Sequence, residues 1–123
     1  MATQAEAINY LKANFKNEDL GDNVFKVLVE YEGNRSQLVF VGVFEHVITM
    51  SSPFAGEDDL TPKQALNAVT NGLFGVKLFG DFYSLSNLLF VEDLDASEIN
   101  KGIAFIAQTA DDLEQSLVGG DRL

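Results

Sequence analysis

The chain has 123 residues, 46% of them hydrophobic, which is the size and apolar content of one domain spanning residues 1–123 with an ordinary core. Eight Lys and Arg stand against nineteen Asp and Glu, a formal net charge of −11; affinity for nucleic acid rests on cations that neutralise phosphates, so nucleic acid and anionic membrane surfaces are poor partners. The absence of cysteine excludes disulfide frameworks and thiolate chemistry, and a start without a basic or apolar signal region, with no apolar run near the ~20 residues of a membrane helix, leads us to expect a cytoplasmic protein that makes no membrane contact.

In chain order, Thr3-Gln4-Ala5-Glu6 has the form of a capping box, and Ile8, Leu11 and Phe15 follow at helical spacing, predicting a first helix that ends near Phe15. Lys16 to Asn23 reads as a loop, because Asn17, Gly21, Asp22 and Asn23 are turn formers. Val24–Tyr31 is a strand with one wholly apolar face, Phe25, Val27, Val29 and Tyr31, and one mixed face carrying Lys26 and Glu30. Glu32-Gly33-Asn34-Arg35 supplies a turn, and Ser36–Val41 returns as a second strand that is apolar on both sides. A further turn within Gly42–Glu45 leads to a third strand, His46–Ser51, which is expected to stop at Ser52-Pro53 because proline cannot donate to the ladder.

After a polar loop at Ala55–Asp59, Thr61-Pro62-Lys63-Gln64 starts a second helix, with Leu66, Val69 and Leu73 as its buried stripe and Asn71-Gly72 closing it. Leu73–Phe79, interrupted by Gly75, fits neither period. Gly80–Leu85 and Leu88–Glu92 flank Ser86-Asn87 as a second hairpin, with a turn at Gly80-Asp81 as the rival arrangement. The last helix is capped by Asp95 with Glu98 at N3, and Ile99, Ile103, Ile106, Ala110, Leu113 and Leu117 form its seam before Gly119-Gly120. The order α-β-β-β-α-β-β-α is that of an α+β fold, an antiparallel sheet covered by helices on one face.

Little in the chain carries chemistry. His46 is the single histidine and lies beside Glu45, which admits a general base, but no nucleophile stands in a strand-to-helix elbow. Glu57-Asp58-Asp59 lacks the alternating oxygen ligands, glycine turn and distal glutamate of a calcium loop. Gly72, Gly75 and Gly80 are not followed by the Gly-Lys-Ser/Thr of a phosphate loop, and Asn34-Arg35-Ser36 reads as a turn. No catalytic, cofactor or metal residue is therefore expected. The informative group is apolar: Phe74, Val76, Leu78, Phe79 and Phe82 read either as ordinary core or, some of them together with Leu38 and Phe40 from the second strand, as a partner or dimer surface, the reading we expect.

Ala68-Val69-Thr70-Asn71-Gly72-Leu73-Phe74-Gly75 after a capped helix, then a Phe82–Val91 hairpin, then a long helix containing Ala110-Asp111-Asp112-Leu113-Glu114, resembles the YbjN-like domains and the class I type III secretion chaperones, the Tir chaperone family. The resemblance covers most of the chain and is strongest over Leu66–Leu117. It implies a homodimer whose sheet face and helix grooves hold an extended segment of a client protein, without ATP and without turnover. The YbjN-like branch implies instead an undefined regulatory or stress-related role. A small-ligand or enzyme domain using His46 is the remaining alternative, and it predicts a concave site around that ring.

Overall fold

The computed structural model describes residues 3–31, 35–69 and 73–118. In chain order they form α1 (Gln4–Asn14), β1 (Lys16–Gly21), β2 (Val24–Tyr31), β3 (Arg35–Val43), β4 (Val47–Gly56), α2 (Pro62–Ala68), β5 (Gly75–Phe79), β6 (Phe82–Phe90), a 3₁₀ turn at Val91–Asp93, and α3 (Ala96–Leu117). The class is α+β, with one antiparallel six-stranded sheet in the order β1-β2-β3-β4-β6-β5. The Asn71-Gly72 closure, the Gly119-Gly120 stop and the turn at Glu32, Gly33 and Asn34 fall outside the described residues.

The segment expected to be a loop, Lys16–Asn23, is a strand and its turn. Every β1 side chain is exposed, so no buried face marks it in the sequence; it is a strand because its backbone pairs with β2 from Lys16 opposite Leu28 to Gly21 opposite Val24. Asp22 and Asn23 take φ of 55° and 64°, the two left-handed central residues of a tight hairpin whose twist matches its strands. The chain order is thus α-β-β-β-β-α-β-β-α, one strand more than expected.

β4 does not stop at Pro53. It runs on to Gly56, paired with β6 through Pro53 opposite Ser84 and, after an irregularity, Gly56 opposite Phe82. Proline is tolerated there because the β3–β4 ladder ends at Phe40 opposite Ser51. Beyond that point the strands are joined by side chains. Gln37, fully buried, donates from Nε2 to the Pro53 carbonyl at 2.6 Å and to Ser52 Oγ at 3.0 Å, and Ser52 Oγ donates to the Leu38 carbonyl at 2.6 Å. On the other side of β4, the rival hairpin is the one observed: Gly80, with φ of 62°, and Asp81 make the turn, and Ser86-Asn87 lies inside β6. The unassigned apolar run becomes β5 from Gly75 onward. β3 likewise continues through Gly42 to Val43, and the turn follows at Phe44–His46.

Cross-strand register sorts the side chains onto two faces. Phe25 and Val27 of β2, Val39, Val41 and Val43 of β3, Ile48 and Met50 of β4, and Leu85 of β6 share one face and are all buried. The helices lie on that face. α3 approaches closely at Gly102, where an added Cβ would stand 3.2 Å from both Leu89 Cδ1 and Met50 Cε. α1 buries Ala7 and Leu11, with Lys12 Nζ 5.5 Å from the centroid of the Phe25 ring. α2 is capped as expected, with Thr61 and Gln64 in a reciprocal capping box and Pro62 in its first turn. It buries Ala65, while Leu66 and Leu73, expected inside, are 61% and 58% exposed.

The seam of α3 also drifts from expectation. Ile99, Ile103, Ile106 and Ala110 are buried, but Leu117 is exposed, and Asp111 and Glu114 take the inner face of the last turns. The reason lies at the start of β3: Arg35 pairs with Asp111 Oδ2, anchoring the end of the helix to the sheet through charge. No helix among the described residues is long and apolar enough to cross a membrane.

Candidate functional site

Since α1, α2 and α3 share one side of the sheet, the opposite face is bare of helices among the described residues. It presents Leu28 from β2, Leu38 and Phe40 from β3, Val47 and Thr49 from β4, Phe79 from β5, and Phe82, Leu88 and Phe90 from β6. The relief comes from residue size. Phe40 and Phe79 stand on strands that are not neighbours, yet their ring centroids are 5.2 Å apart. They meet above β4 and β6, where Ser51, Pro53 and Ser84 are too small to hold them apart, and those three residues are buried under the rings.

Leu38, Phe40, Pro53, Phe79, Gly80, Asp81 and Phe82 line an open groove of about 480 Å³ at this end of the face. Toward the other end Leu88 and Phe90 are 47% and 57% exposed. There the ring of Phe44 lies across Gly42, where an added Cβ would come within 2.7 Å of it. Thr49, Ser51 and Ser86 form a lower, polar strip between the two apolar ends.

Of the residues expected on a partner surface, Leu38, Phe40, Phe79 and Phe82 are brought together around this groove. Phe74 is not part of it: it is buried, its ring 5.1 Å from that of Phe105 on α3. Val76 and Leu78 have the opposite parity from Phe79, so they point to the helix side and line a small cleft with Pro62, Ala65, Leu66 and Tyr83. Leu78 remains 54% exposed there. Sequence reasoning missed Leu88 and Phe90. The alternation Phe82, Ser84, Ser86, Leu88, Phe90 was available to find them, but a turn placed at Ser86-Asn87 cuts it in two.

The polar groups among the described residues make local contacts. The His46 side chain is 68% exposed, with Nδ1 2.8 Å from Glu92 Oε1 and Nε2 3.8 Å from Glu45 Oε1, an arrangement of surface polar contacts at a turn. Asp59 turns inward to accept from the Gly56 amide at 2.8 Å. Among the described residues no group of three His, Asp or Glu is placed to hold a metal ion. The buried charged groups, Asp111 and Glu114, lie on the other side of the sheet, where Arg35 pairs with Asp111 and Tyr31 lies close to its charge. Burial, then the charges of Asp111 and Asp112, push the Tyr31 hydroxyl up to about 12, against an opposing pull from Arg35. What the bare face offers is apolar contact.

Comparison with protein-family models and with curated proteins finds no match.

Proposed function

We propose that the chain is a non-catalytic, chaperone-like protein-binding domain of the cytoplasm that works as a homodimer and holds an extended segment of a partner protein. The observation that carries this reading is the sidedness of the fold: all three helices roof one face of the sheet, and the other keeps Phe79, Phe82, Leu88 and Phe90 in water. Large apolar side chains left in water at both ends of one sheet face mark a surface that meets another protein.

A second apolar region suits the client. β5 ends the sheet, and beside it Leu66 and Leu78 are exposed on the α2 side. The other edge, β1, is guarded by Lys16, Glu18 and Asp19, while β5 carries a single charge, Lys77. An extended segment adding to β5 would find backbone partners along the edge and pockets for alternate side chains in the α2–β5 cleft. The experiment is retention of a permanently unfolded reporter polypeptide by the immobilised protein. Wild type is expected to hold it, and Leu66→Asp with Leu78→Asp to weaken retention at least tenfold while leaving the circular dichroism spectrum unchanged. A wild-type protein that retains nothing overturns the reading.

A further inference from the structure

We infer that the bare face is covered by a second copy of this chain, the two sheets packing face to face about a twofold axis. The inference rests on the homodimeric reading above and names the surface that meets. Charge selects the occupant. A protein of net charge −11 repels its own copies over most of its surface. Among the described strand residues, the bare face carries two acids, Glu18 and Glu30, and both are paired on the same face, Glu18 with Lys26 at 3.0 Å and Glu30 with Lys16. The third cation of the face, Lys77, lies 5.2 Å from the centroid of the Phe79 ring. Within these strands two copies meet charges that are already paired, besides Lys77 and, at the turn that lines the groove, Asp81. A basic partner would be drawn to the acidic surfaces elsewhere, and an acidic partner would find Lys16 and Lys26 already paired, with Lys77 held over the Phe79 ring.

The layout of the face agrees. Its ion pairs lie on β1 and β2, while Phe40, Phe79, Phe82, Leu88 and Phe90 stand on β3, β5 and β6, the division into apolar core and charged rim that protein interfaces show. Six strands about 4.8 Å apart and on average roughly eight residues long make a face on the order of 700 Å². A standard stable interface takes about 800 Å² from each partner. A twofold arrangement sets the ridge of Leu88 and Phe90 from one copy toward the groove between Phe40, Phe79 and Phe82 of the other, and the reverse, with the sheets about 10 Å apart.

The test is mass in solution by size-exclusion chromatography with light scattering. Wild type is expected at twice the 13.5 kDa chain mass. Phe79→Glu and Phe90→Glu are each expected to weaken the dimer at least tenfold while keeping the circular dichroism spectrum, and Leu78→Asp, which points to the other face, is expected to remain dimeric. Because the chain has no cysteine, single introduced thiols give a second readout. Ser86→Cys, in the middle of the face, should be joined by a short bis-maleimide, and Gln108→Cys, on the exposed side of α3, should not. A wild-type monomer, or a dimer indifferent to both glutamates, overturns the inference. A monomer that still retains the unfolded reporter overturns the face-to-face pairing and leaves the client site standing; a dimer that retains nothing does the reverse.

Discussion

Tyr31 is the residue whose protonation reports most directly on the packing under α3. Its hydroxyl is buried without a hydrogen-bond partner among the described residues, and its ionisation is pushed up to about 12 by burial and by Asp111 and Asp112. The folded protein therefore holds this proton after the unfolded chain, near its ordinary value of 10.0, has released it. Stability from this group is intact below that value and is lost as pH rises through about 12. Tyrosinate absorbance should show one of the three tyrosines titrating last, together with loss of the fold, and Tyr31→Phe should remove that alkaline step. Nearby, Asp111 is 2% exposed and pairs with Arg35, so Asp111→Ala is expected to lower stability in urea unfolding by about 1–3 kcal/mol. Neither role was legible beforehand. Asp111 sits in an Asp-Asp pair on a helix that reads as amphipathic, and the partner that draws it inward is 76 positions away in the chain.

At the level of the element, local signals were reliable where the chain's own neighbours supply the physics. Thr61, Pro62 and Gln64 form the capping box that their order predicts, and Thr61→Ala should cost about 1 kcal/mol in thermal or urea unfolding. Asp95 likewise caps α3: its carboxylate accepts from the Glu98 amide at 2.9 Å and from the Ser97 hydroxyl at 2.7 Å, and those bonds hold its ionisation below the usual range. Signals failed where pairing partners decide. β1 has no buried residue to announce it, and Pro53 reads as a stop when the ladder it would break has already ended one turn of pleat earlier. Gly102, inside α3, lets the helix lie close to Met50 and Leu89. Gly102→Leu is expected to destabilise by about 1–3 kcal/mol through overpacking, measured by the shift in the urea midpoint.

For the whole molecule, the face-to-face dimer makes a prediction about salt. Its contact is apolar and its rim charges are paired within each copy, while the remaining surface of each copy is strongly acidic. Raising ionic strength to about 1 M shortens the screening length from about 10 Å to about 3 Å. Association should therefore tighten several-fold with added salt in analytical ultracentrifugation, the opposite of what an interface built on cross-chain ion pairs would do. Residue order alone determined the apolar excess, the acidic balance, the capped helix starts and the alternation that makes β2 and β3 strands, because these depend on neighbours a few positions apart. Only the tertiary structure decided which apolar residues face water. Val76 and Phe79 differ by one parity step in a five-residue strand, and the register of β5 on β6, with every helix on one side, sends Val76 toward α2 and Phe79 onto the bare face. Register and layering are properties of contacts between distant segments, so nothing in the local order of residues records them.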